Sequence, residues 1–330
     1  MKLTGVFVIE TGVVNRGDGI GNIATVKKIT TPEGIKVFFS PVSYKRALWT
    51  ALQKNKGWSI PMVTKEGGVV QRTGTIIDSE EFDFAGTMVA KPKYERYGTF
   101  LVDNGISINN YFGDMEFMTN MAISKLYGED EANIINKENF YGIYLMPFGI
   151  EINRVGVQEI STVDTKIKED DSLEEKIKKI YKALKLDKKI TDEQVQKWAE
   201  IVESIDYFEN EKGQKVTKIV LKKEERKRRL KELLEGMGEL AKRIEGSERN
   251  LSPFFAAFSL DYIAPKYYLL MKQFLKEKLS EGGYLNTEEL AQELENFANS
   301  EGKTIKTADF INYNQVVNEI VEEIFKESQK

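Results

Sequence analysis

Hydrophobic positions along the chain fall into short runs of period two and longer stripes of helical period. Residues 3–11, LTGVFVIET, are rich in β-branched and aromatic side chains and predict a buried first strand. Residues 23–30, IATVKKIT, read as strand as well. Ser40 before Pro41 is an N-cap followed by a proline at the first helical position. Val42, Leu48, Ala51 and Leu52 then form one inward stripe of a helix over 41–54, leaving Lys45 and Arg46 outward. From 57 to 140 turn residues break every pattern into short pieces. Residues 140–157 predict a second core strand, with Pro147 and Gly149 marking an edge or a bulge. In the charged stretch 159–212, Ser172 with Glu175 and Thr191 with Gln194 are capping boxes that open two helices. Residues 214–221 alternate like a strand, 222–243 carry the stripe Leu230, Leu233, Leu234, Met237 and Leu240, and 251–262 form a further strand. Helices follow at 267–279, 287–299 (capped by Asn286) and 313–327, with a short strand at 303–310 between the last two.

With the two irregular stretches set aside, the order is strand (3–11), helix (41–54), strand (140–157), strand (214–221), helix (223–243), strand (251–262). This βαββαβ order predicts an α+β chain with a ferredoxin-like, RNA-recognition-like (RRM-like) core. The aromatic run with which ordinary single-strand readers of that class stack bases is absent, so contact through a basic loop and helix is the better expectation.

Charge sharpens that picture. Within residues 1–56 nine Lys or Arg stand against three acids, a balance of +6 in a chain whose formal net charge is −4. A local surface for a polyanion is implied. Gly12, Gly17, Gly19 and Gly21 make a loop able to offer backbone N–H groups to an anion. It leads into strand-like residues rather than a helix, which excludes a dinucleotide fingerprint. Arg96, between Tyr94 and Tyr97, can stack on a base or hold a phosphate. The chain has no cysteine and no histidine. Thiolate and imidazole chemistry are therefore unavailable, and neither a cofactor nor catalysis is expected. No apolar run approaches the roughly 18 residues of a membrane span, and the expectation is a cytoplasmic protein without membrane contact.

Four stretches together carry a family resemblance: Asn15-Arg16-Gly17-Asp18 after the opening strand, Val42-Ser43-Tyr44-Lys45-Arg46, Asp83-Phe84-Ala85-Gly86, and the run from Arg249 to Pro253. They resemble the DevR-type backbone subunit (RAMP superfamily) of type I, subtype I-B, CRISPR Cascade complexes, over residues 1–160 and 214–262. The resemblance implies a hand-like subunit. Its palm would comprise 1–56, 140–157 and 214–262, its finger 57–139 and its thumb 158–213, followed by a helical extension at 263–330. It implies a homo-oligomeric filament of copies along a CRISPR RNA, joined by other Cascade subunits, which presents the guide for pairing with target DNA. Asn15, Arg16, Lys27, Lys28, Ser43, Lys45 and Arg46 would be palm contacts, with Arg96 and Arg249 as further ones. A holder of any guide must grip phosphates and leave sequence to base pairing, which suits these residue types.

Two other readings remain at this point. Asp18 in its glycine-rich loop could serve metal-dependent cleavage of target RNA, as in type III backbone subunits, although a turn residue beside glycine has the same appearance. The same core could also be a structural module without nucleic acid.

Overall fold

The computed structural model describes residues 1–128, 133–261, 264–280 and 285–327. Its centre is an eight-stranded sheet. In chain order the contributing elements are β1 (Leu3–Gly12), β2 (Lys28–Thr31), β3 (Gly34–Phe39), α1 (Pro41–Asn55), β4 (Phe100–Val102), β5 (Gly105–Asn110), β6 (Tyr141–Ile150), α2 (Lys223–Gly238), β7 (Phe255–Ser259), α3 (Ala264–Ser280), α4 (Thr287–Ser300), β8 (Lys306–Asp309) and α5 (Tyr313–Glu327). The strands run β8–β7–β1–β6–β5–β3–β2, with β4 also on β6. β1 is antiparallel to both neighbours, placing Phe7 opposite Met146 and Ala256.

This order corrects the sequence reading, in which 140–157 is one core strand: that strand ends at Ile150. Residues 215–221 are a strand but lie outside the central sheet, paired with Val157–Ile160 and Val202–Glu209 in a sheet of their own. The inner strand that was missed is β5, whose GISINN carries a single clear apolar alternation and sits among turn residues. Residue 262 of the expected last strand and 129–132 of the expected finger lie outside the described residues.

Period-two alternation along β1 builds two cores. Leu3, Phe7 and Ile9 face α1, α2 and α5, joining Leu48, Leu52, Leu230, Leu234 and Val321. Val6 and Val8 face the other way, onto Met271 and Leu275 of α3 and Leu290 and Leu294 of α4. Helices therefore cover both faces of the sheet along its middle, and the exposed aromatic of its inner strands is Tyr141 at the start of β6. Gly236 allows α1 and α2 to approach, since a Cβ there would lie 2.6 Å from the Leu52 side chain.

A third core is shared by the two insertions. Ile76, Ile77, Phe82 and Tyr94 pack with Ile177, Ile180, Tyr181 and Val195 of the helices Leu173–Ala183 and Asp192–Ile201. Both helices open on the predicted capping boxes. An aromatic stack, Trp49 on Trp58 (5.9 Å) and Trp58 on Phe84 (5.6 Å), ties this unit to α1.

Asp78 is fully buried in that third core. One carboxylate oxygen accepts the Thr75 N–H at 2.6 Å and the Tyr181 hydroxyl, while the other has no partner. Burial pushes its pKa from the usual 3.8 up to about 6. The protonated form is thus favoured by folding, so its contribution is complete below about pH 4 and lost as pH rises through 6, a span worth about 3 kcal/mol. Asp78→Asn is expected to raise stability at pH 7.5 by roughly 1–3 kcal/mol and to change it little at pH 4. Urea denaturation of both proteins at the two pH values checks this; equal differences at both would refute it.

Candidate nucleic-acid interface

Three segments distant in sequence meet at one end of the sheet: the loop after β1, the first turns of α1, and a hairpin pairing Ala241–Ile244 with Ser247–Asn250. The helix expected to run to Arg243 stops at Gly238, and residues 241–243 instead form the first strand of this hairpin. Its strands are almost wholly polar, so no apolar alternation marks them. The available sequence signal was Gly246 alone; in the structure Glu245 and Gly246 both have positive φ (47° and 82°), the geometry of a tight hairpin turn.

α1 begins as expected, with the Ser40 hydroxyl accepting the Ser43 N–H at 3.3 Å and Pro41 next to it. Its inward stripe is Tyr44, Leu48 and Leu52. Val42 was expected in that stripe but is 77% exposed, and it instead opens the outward row completed by Arg46, Thr50 and Lys54. That row forms one wall of a groove of about 880 Å³, and Lys242 and Arg243 of the hairpin form the opposite wall. Arg46, Lys54 and Arg243 are exposed and have no ionic partner among the described residues. Glu239 and Glu248 at the rim moderate the field.

Of the predicted palm residues, Ser43 and Arg46 line this groove. The Asn15 side-chain oxygen accepts the Ser40 N–H at 3.4 Å, fixing the loop to the start of α1. Ser43 receives Lys242 Nζ at 2.5 Å, and the same ammonium donates to Val14 O at 2.8 Å. Burial lowers the Lys242 pKa. Arg16 lies beside the hairpin tip and Lys28 beside Tyr111; both are ion-paired, to Glu245 and Glu138 respectively. Lys27 is half-buried, with no ionic partner among the described residues. Arg249 lies over the end of β1, its Nε buried and without an acceptor. Its guanidinium carbon packs close to Gly12, 3.4 Å from where a Cβ would stand.

Two predicted contacts are corrected. Lys45 turns away from the groove: its Nζ donates to Phe100 O at 2.6 Å over the Phe100 ring, and burial lowers its pKa. Arg96 is not a surface cation flanked by tyrosines. It is 6% exposed, paired with Asp83, and donates to Val157 O and Arg154 O. Both were misplaced because sequence shows that a cation is near a helix start or an aromatic, not which neighbour it turns toward. Lys54, Lys137, Lys242 and Arg243 were missed, the last three because they belong to elements that the apolar pattern does not reveal.

The glycine loop is also less open than expected. Gly17 N–H donates to Thr25 O, and Ile20 and Ile23 bond each other's backbone. Asp18 is exposed, and its carbonyl accepts the Thr25 hydroxyl.

Beyond the groove, the β5–β6 hairpin continues into an arm formed by Met115–Thr119, the helix Met121–Tyr127 and Ile134–Glu138. Phe112, Phe117, Leu126 and Tyr127 on it are all strongly exposed, a concentration of apolar surface unusual for a self-sufficient monomer.

The fold has counterparts among solved structures. A chain of a "CRISPR RNA-guided surveillance complex, pre-nicking" superposes with a TM-score of 0.56 at 9% identity, covering 98% of this chain and 100% of that one. A chain of a "CRISPR RNA-guided surveillance complex" gives 0.52 at 9% identity, covering 98% and 99%. At such identity these likenesses define a class of fold. The family follows from sequence: the family described as "CRISPR-associated negative auto-regulator DevR/Csa2" matches residues 53–264, and the chain belongs to it. No curated protein matches.

Proposed function

We propose that this protein is the guide-RNA-binding backbone subunit of a type I CRISPR surveillance complex, holding the strand by its phosphates along the groove between α1 and the 241–250 hairpin. The observation that carries the reading is the convergence of Arg46, Lys54, Lys242 and Arg243 from two remote segments onto the walls of one groove, with Arg16 at the hairpin tip through Glu245 and Lys28 next to it through Glu138. Family membership and the two fold likenesses support it. The inner strand order β7–β1–β6–β5, with α1 crossing from β1 to β5 and α2 from β6 to β7, supports a ferredoxin-like core.

With both faces of that core covered by helices along its middle, the strand lies at its end rather than across it. Copies then assemble head to tail along the RNA through a heterologous, non-closing interface, within a cytoplasmic complex that pairs the guide with target DNA. The element that reaches the neighbouring copy's strand is the arm of residues 112–128 and 133–138 rather than 158–213, whose helices are occupied in the third core. Its role is positioning rather than cleavage, so Asp18→Ala should leave the fate of a complementary RNA in Mg²⁺ unchanged.

The test is equilibrium binding of single-stranded RNAs of different base composition between about 0.05 and 0.3 M salt. Affinity should be nearly independent of sequence and fall with a log–log slope of roughly −0.7 per phosphate contact. Absence of binding at the lowest salt, or strong dependence on base sequence, would refute the reading.

A further inference from the structure

Two sets of cations at the hairpin tip and beside it are already engaged by the chain's own acids. Arg16 holds the Glu245 carboxylate through Nε (3.3 Å) and Nη2 (3.1 Å), and Lys137 Nζ reaches the same group at 3.0 Å. Lys28 Nζ pairs with Glu138, whose other oxygen accepts the Val26 N–H at 2.8 Å. Tyr111 closes that second set, its ring centre 4.7 Å from the Lys28 ammonium. A two-pronged guanidinium plus an ammonium, or an ammonium plus a backbone N–H, is the donor set that a phosphodiester takes. The Arg16 hydrogen bond, opposed in part by burial, holds the Glu245 carboxyl below the usual range, so it is ionised in the fold.

The placement of Glu245 is informative in itself. It occupies the first position of a hairpin turn at φ 47°, where Asn, Asp or Gly is the favoured choice. Turn geometry therefore does not account for a glutamate there. Its reach to Arg16 and Lys137 does. Both pairs also lie close to solvent, Glu245 with a 36% exposed side chain and Lys28 with 31%, so either can open without disturbing a core.

We propose that Glu245 and Glu138 are built-in competitors for the RNA backbone. In the free chain they occupy two phosphate positions, one on Arg16 and Lys137 and one on Lys28 and the Val26 N–H, and the incoming strand displaces them. The inference rests on the RNA reading given above. Arg46, Lys54, Arg243 and Lys27, free of such partners among the described residues, make first contact, and the masked sets engage only when a continuous strand lies in the groove. Stray anions meet fewer open cations on the unassembled subunit.

The experiment is anisotropy of a labelled single-stranded RNA with the full chain and the variants Glu245→Gln, Glu138→Gln, their combination, and Glu293→Gln on α4, a control with the same charge change on the far side of the sheet. Each groove variant is expected to bind roughly three- to tenfold more tightly at about 0.1 M salt, and the combination more tightly still, the range set by the modest strength of exposed ion pairs. The control should stay within about twofold of the parent. Arg16→Gln should cost more affinity in the Glu245→Gln background than in the parent, because in the parent part of that contact is spent on displacement. A loss of folding would lower affinity, so the expected gain is not imitated by structural damage. Equal or weaker binding of the groove variants, or an equal gain in the control, overturns the proposal while leaving the RNA reading intact. If neither parent nor variants bind RNA, it is the RNA reading that fails, and the inference with it.

Discussion

Replacing Arg229 with methionine is expected to cost the fold about 3–5 kcal/mol, the usual penalty for leaving one member of a buried ion cluster without its partner. Arg229 is 1% exposed, and Asp83 is not exposed at all. One Asp83 oxygen pairs with Arg96, and the other takes Arg229 Nη1 at 3.3 Å and the Gly156 N–H at 2.8 Å. Arg229 also donates to Ile76 O at 2.8 Å and pairs with Glu225 at 2.6 Å. This cluster joins α2 to the first insertion and to residues 154–157, so its loss should loosen the adjoining third core first. Trp198, stacked on Tyr181 at 5.1 Å inside that core, and Trp58 at its border report the event by fluorescence during urea titration. Methionine keeps the length of the side chain, so a cost below about 1 kcal/mol would mean that Asp83 is satisfied by Arg96 and backbone alone.

Reversing two charges on opposite walls of the groove, Arg46→Glu with Arg243→Glu, is expected to weaken single-stranded RNA binding on the order of a hundredfold or more at about 0.1 M salt and to flatten the salt slope by roughly 1.4, two contacts at 0.7 each. Both side chains are exposed and without ionic partners among the described residues, so stability should change little. Lys45→Met is the contrasting case. Its ammonium is spent on Phe100 O, so RNA affinity should stay within about twofold while the helix start loses a buried hydrogen bond, a cost of roughly 1 kcal/mol. An equal loss of affinity in both proteins would place the strand elsewhere.

The contrast between Lys45 and Arg46 shows where reading a sequence stops. Both lie in the first turns of a helix whose start, cap and proline were legible, and adjacent residues on a helix point about 100° apart. Which of the two meets solvent depended on the inward stripe being Tyr44, Leu48 and Leu52 rather than one beginning at Val42. Aliphatic character at Val42 suggested burial, yet Tyr44, whose hydroxyl is buried without a partner, is the residue that packs. Arg96 failed for a related reason. Its tyrosine neighbours suggested a surface stack, but Asp83, thirteen residues earlier, turns it inward.

Local chemistry by itself determined the first strand, the capped helices, the stripe of α2, the final amphipathic helix at 313–327, the exclusion of thiol and imidazole chemistry, and the concentration of positive charge in the first 56 residues. Each of these depends on side-chain type at short spacing, which the chain carries in its order. Tertiary structure alone decided that 215–221 leaves the central sheet and 105–110 joins it, that a polar hairpin supplies half of the basic groove, and that Arg16 and Lys28 are held by Glu245 and Glu138. Strand partners and ion pairs are chosen among residues one or two hundred positions apart, by competition for backbone hydrogen bonds and buried surface, and no local pattern encodes the winner of that competition.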